Sequence, residues 1–151
     1  MAFQKLTYSN TKCNNYIYFA LDGDYFNVEE VTSELKINPT TVMIKKNPVP
    51  KSTSWKYEII AGSEIDLENF LHKLVDVFEP KIGEINIIKK RLNLSSRLQF
   101  VVDIDIDPNS STPYFGMNNR IINFLNKTET EVDFDLYKSD TIGLIKKWID
   151  K

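Results

Sequence analysis

The stretch "RLQFVVDIDIDPN", residues 97–109, decides the fold. Leu98, Phe100, Val102, Ile104 and Ile106 alternate with Gln99, Val101, Asp103, Asp105 and Asp107. Successive side chains of a strand point to opposite faces, so this run predicts a strand with one dry face and one wet face. A sheet built from such strands needs cover on one side only, which predicts helices packed on that side. The segment "EVDFDLY", 131–137, follows the same rule, with Val132, Phe134 and Leu136 opposed to Glu131, Asp133 and Asp135.

Working outward, "NYIYFALDG" (15–23) is apolar or aromatic at nearly every position and predicts a strand covered on both faces. "NVEEVTSELKINP" predicts a helix capped by Asn27, with Glu30 at the third position and a Val28, Val31, Leu35 stripe. Pro39 stops it. Residues 38–54 read as one long connection, broken by Pro39, Pro48 and Pro50 and charged by Lys45, Lys46 and Lys51. "SWKYEII" reads as a strand. "GSEIDLENFLHKLVDVFEP" reads as a helix on the spacing of Leu67, Phe70, Leu71, Leu74 and Phe78, ended or kinked by Pro80. Residues 81–94 fit helix and strand equally.

"PNSSTPYFG" is a turn-rich loop, and "MNNRIINFLNKT" a helix with Met117, Ile121, Phe124 and Leu125 inward. "SDTIGLIKKWIDK" closes the chain as a helix that turns Ile142, Ile145, Trp148 and Ile149 to the core, with Ser139 or Asp140 as cap. Strand, helix, strand, helix thus occurs twice. The order predicts a single α+β domain over 1–151. The expected arrangement is ferredoxin-like or a related split βαβ, with four or more strands, helices mainly on one face and a βαβα pseudo-repeat.

With 151 residues, 42% hydrophobic and 26% charged, the chain has enough core to fold without disulfide or metal. The net charge is −2, and the only arginines are Arg91, Arg97 and Arg120. That balance predicts no nucleic-acid partner. Cys13 is the single cysteine and His72 the single histidine, so no internal disulfide forms and no Cys–His pair is evident. Residues 1–15 contain no apolar segment of the signal-peptide kind, and no run approaches a membrane span. The expectation is a cytoplasmic protein without membrane contact.

The set "YIYFALDGDYFNVEEVTSELKINPT", "TSWKYEI", "DLENFLHKLVDVFEP" and "VDFDLY" resembles the bacterial domain-of-unknown-function family 4279. The resemblance runs through residues 16–137 and rests on the spacing of the set, not on a catalytic motif. It implies bacterial origin, cytosolic location and the fold above. It assigns no activity and no site residue. Small acidic domains of this kind are suspected immunity proteins of toxin systems.

Asp103, Asp105 and Asp107 have the D-x-D-x-D spacing that opens an EF-hand loop, which requires Gly at position six and Glu at position twelve. Here those positions hold Pro108 and Tyr114, so that loop is excluded. A sheet-borne site is different: if the two Asp-bearing strands pair, Asp133 and Asp135 join the first three, and a hard divalent cation would relieve their repulsion. No His or Cys supports it, and no metal or cofactor is expected. Nucleophile-elbow, Walker, zincin and dinucleotide motifs are absent, so no enzyme activity is expected. His72 shares a helical face with Glu68 and Asp76, an exposed polar row. Trp55 and Tyr57 read as core aromatics or, alternatively, as one wall of a ligand cleft.

Charge layout is more informative. From Phe100 to Asp140 eight acids face three bases, a net of −5, whereas Lys36–Lys56 holds five lysines and no acid. Such a split steers a charged partner. The first expectation is a non-catalytic protein-binding domain, of immunity type, whose acidic face (Asp103, Asp105, Asp107, Asp133, Asp135) docks a basic protein. The alternative is a small-molecule or divalent-metal domain with weak hydrolytic activity. The charge split also allows a homodimer.

Overall fold

The computed structural model describes residues 13–149. Strand β1 (Asn15–Gly23) is central. It is flanked by β3 (Thr53–Gly62) and β4 (Ser95–Asp105), both antiparallel to it. Strand β2 (Thr41–Met43) lies outside β3, and β5 (Thr130–Ser139) lies outside β4, giving the order β2-β3-β1-β4-β5. Leaving β5 aside, every neighbour is antiparallel. Helix α1 (Val28–Leu35) connects β1 to β2 around β3, and helices α2 (Glu68–Phe78) and α3 (Ile82–Leu92) connect β3 to β4 around β1. That is the split βαβ arrangement of the ferredoxin-like kind.

Helix α4 (Asn119–Lys127) then carries the chain to β5, which pairs parallel to its own predecessor β4. This crossover is not split. The repeated order of elements therefore does not become a repeated geometry, because β2 reverses the direction of β3 in the first half. The prolines frame β2 but do not abolish it: Thr41–Met43 pair with Ser54–Lys56, within what sequence alone reads as a continuous connection. Residues 81–94 are mostly helix, since Ile85 and Ile88 reach the core one turn apart. A 3₁₀ turn at Glu79–Lys81 holds Pro80 between α2 and α3.

The main core lies on one face of the sheet, and a smaller buried cluster of Tyr18, Ala20 and Val101 lies on the other, so β1 is covered on both faces. Ile17, Phe19 and Leu21 of β1, Trp55 of β3 and Leu98, Phe100 and Val102 of β4 pack in the main core against α1 to α4. Phe78 of α2 is its hub, with ring centroids 4.5 Å from Phe19, 5.4 Å from Tyr57 and 6.2 Å from Trp55. Burial of each such side chain contributes about 2–3 kcal/mol. Helix α1 starts as its sequence dictates: the Asn27 side chain accepts from the Glu29 amide at 3.1 Å. It ends with Lys36 in the left-handed region.

The closing helix α5 (Leu144–Ile149) corrects the expectation. Asp140 is its buried cap, accepting from the Leu144 and Ile145 amides at 2.8 and 3.0 Å. Yet Trp148 is 82% exposed, and Ile149 and Ile142 also face solvent. Ile145 and Leu144 of this helix are partly covered. Of the N-terminal reading, residues 1–12 lie outside those described.

Candidate functional site

The site is built on the parallel pair β4 and β5. Their register sets Gln99 beside Asp133, Val101 beside Asp135 and Asp103 beside Tyr137. Asp103, Asp133 and Asp135 therefore share the face of the sheet opposite helices α1 to α4, with Asp135 one diagonal step from Asp103. On the opposite face Leu98 pairs with Val132, Phe100 with Phe134 and Val102 with Leu136.

Asp105 ends this row beside Ser139, and Asp107 leaves it. Asp105 accepts from the Thr141 hydroxyl, from the Asp107 amide at 3.2 Å and from the Thr141 amide at 3.4 Å. Burial pushes the Asp105 carboxyl up, but these hydrogen bonds outweigh it and hold the group below its ordinary range. Asp107 lies beyond the end of β4 and accepts from the Asn109 amide at 2.9 Å, a local turn. Asp103 accepts from the Asn14 amide at 2.7 Å. Asp103, Asp105, Asp133 and Asp135 thus share one face, with Asp105 also bonded into the loop after β4, whereas Asp107 lies beyond the strand and does not join them. Among the described residues no three of His, Cys, Asp and Glu are placed to hold a metal ion.

Beside Asp103 and Asp105 opens a pocket of 320 Å³, lined also by Cys13, Asn15, Ser110 and Thr141. Cys13 Sγ lies 3.1 Å from the Ser139 hydroxyl, which ties the start of β1 to the end of β5. Neither Trp55 nor Tyr57 lines this pocket. Trp55 is fully buried, its Nε1–H donating to Thr32 Oγ1 at 3.0 Å, and Tyr57 packs edge-on against Phe78. His72 lies 3.7 Å from Glu68 at the surface, while Asp76 pairs instead with Arg120 at 2.8 Å.

Three features of β5 escape sequence reading. Its apolar row is not sealed: Val132 is 36%, Phe134 40% and Leu136 59% exposed. Its acids Glu131, Asp133 and Asp135 are exposed and form no ion pair among the described residues. Its outer edge carries no further strand among the described residues. The alternation of "EVDFDLY" is the one local sign of it, and that pattern is the same for an interior strand.

The family model described as "Domain of unknown function (DUF4279)" matches residues 11–139. The chain belongs to the DUF4279 family. The match takes in all five strands of this DUF4279 domain and ends at the last residue of β5. No curated protein and no solved structure matches it. No helix among the described residues is long and apolar enough to cross a membrane.

Proposed function

We propose that this DUF4279 domain is a non-catalytic protein-binding module of bacterial, cytoplasmic origin that docks a basic protein through the acidic edge of its sheet, in the manner of an immunity protein. The observation that carries the reading is the row Glu131, Asp133, Asp135: exposed, on one face of an edge strand, and without a cation paired to it among the described residues. Some other acids of the domain are neutralised at home, Asp22 by Arg97, Glu34 by Arg91 and Glu79 by Arg120. Unpaired carboxylates in a row attract a basic surface over a Debye length and raise the on-rate. Sheet order adds direction. The lysine-rich segment around β2 lies at one edge and the acidic strand β5 at the other.

Capture of a partner from host lysate, compared with the double variant Asp133→Lys, Asp135→Lys, tests this. Association should slow steeply as salt rises from about 0.05 M to about 0.5 M, and the double variant should lose the partner. Equal capture by both forms would end the reading.

The pocket at Asp103 and Asp105 favours a second reading, a small-molecule or divalent-metal site with weak hydrolytic activity. Its 320 Å³ is at the lower end of ligand pockets, which run about 300–1,000 Å³, and its carboxylates and hydroxyls would select a polar, neutral or cationic ligand. A thermal shift with Mg²⁺, Ca²⁺ or a polyamine, lost on Asp103→Asn, would support it. A flat response across such a panel would exclude it.

A further inference from the structure

We propose that the free edge of β5 accepts an extended segment of the partner as an added strand, and that this segment alternates Lys or Arg with apolar residues. The inference rests on the acidic-edge reading above and specifies its geometry.

Three independent features of β5 converge on it. The first is the backbone. β5 has ten residues and, among the described residues, is paired on one side only, by β4, so its outer N–H and C=O groups form a template for strand addition. The other edge strand, β2, has three residues and offers almost none. The second is the apolar row. On β4 the equivalent positions Leu98, Phe100 and Val102 are sealed at 1%, 0% and 1%, whereas their β5 neighbours stay open at 36–59%. Acids alone are a common device to keep an edge soluble. An exposed apolar row on the same strand works against that device and needs cover.

The third feature is charge. Glu131, Asp133 and Asp135 alternate with that apolar row, so an incoming strand sets its own side chains alternately opposite acids and opposite hydrophobes. Directly opposed Cβ atoms lie about 4.5–5.5 Å apart, within reach of an ion pair from Lys or Arg. A second copy of this chain does not fit. Two β5 strands related by a two-fold axis would place both acidic rows on one face of the joined sheet, opposing like charges. Lys138, the one cation in β5, lies on the other face with Ile104 and cannot relieve them.

The test uses the full chain and three synthetic octapeptides: Lys and Val alternating, the same residues in two blocks, and the alternating peptide N-methylated on every second amide. The alternating peptide should bind and protect the amides of β5 against hydrogen exchange. The N-methylated one should bind at least about tenfold more weakly, since it keeps the charge but not the ladder. If the block or N-methylated peptide binds as well, strand addition is overturned while acidic docking stands. If no peptide binds and the lysate partner is still captured in a charge-dependent way, strand addition is again overturned and acidic docking again stands. Concentration-dependent dimerisation with β5 amides protected would make a second copy the occupant and overturn the proposal.

Discussion

Phe100 and Phe134 stack almost parallel, their ring centroids 4.9 Å apart and their planes 13° apart, yet Phe100 is sealed and Phe134 is 40% exposed. The core therefore stops in the middle of an aromatic pair. Truncating the two rings should have unequal effects. Phe100→Ala should cost about 3–5 kcal/mol, as for a buried aromatic, and Phe134→Ala about 1 kcal/mol. Urea unfolding of both variants checks this. Equal losses would mean that the outer face of β5 is covered.

Gln99 offers a stabilising substitution. It is fully buried between Tyr18 and Asp133 in the sheet register, and neither its Oε1 nor its Nε2 has a hydrogen-bond partner among the described residues. An unpaired buried amide costs about 1–3 kcal/mol. Gln99→Met keeps the length and removes the polar atoms, so it should stabilise by roughly 1 kcal/mol. The expected sign is a higher urea midpoint with an unchanged slope. A lower midpoint would show that the amide is satisfied in solution.

The pair Trp55 and Thr32 can be separated from any ligand role. Thr32 Oγ1 accepts from Trp55 Nε1 and donates to the Val28 carbonyl at 3.2 Å. Thr32→Val leaves the indole N–H buried and unpaired, at a cost of about 1–3 kcal/mol. Trp55→Ala should cost about 3–5 kcal/mol. Both losses should appear in thermal unfolding while partner capture by the folded fraction stays unchanged.

Asp105 sets an acid limb. Its folded carboxyl is held below the ordinary value of 3.8, so the unfolded chain takes up the proton first as pH falls. The stability it contributes is fully present above that ordinary value and is lost as pH falls through the lowered one. Asp105→Asn should flatten the stability–pH curve in that window and leave its slope near pH 6 unchanged. Parallel curves for the two proteins would show that the Thr141 and Asp107 bonds do not bias protonation.

Much of the fold was legible because it rests on local pattern. The alternation of 98–106 and the apolar run of 15–23 name the strands. The Asn27 cap and the Leu71, Leu74, Phe78 stripe name the helices. The α+β class and the split arrangement follow from their order. What was not legible depends on partners far away in sequence. Thr41–Met43 is a strand only because β3 offers it an edge. Trp148 reads as core because its helix is amphipathic, but nothing in residues 139–149 records that β5 is the last strand. The aspartates divide for the same reason. Asp103 and Asp105 are two residues apart, and only the position of Thr141, brought in by β5, turns one of them into a loop anchor.

Sheet order also bears on how the chain emerges from a ribosome. The central strand β1 is made early, but one of its two neighbours is β4, residues 95–105. Until that segment is synthesised, one edge of β1, with the apolar Tyr16, Tyr18 and Ala20 on one face and Phe19 on the other, has no strand to pair with. At about 5–20 residues per second the wait between the two strands lasts several seconds. Nascent chains of this domain should therefore depend on a holding chaperone until β4 clears the exit tunnel, and release from it should coincide with the pairing of Phe19 with Leu98.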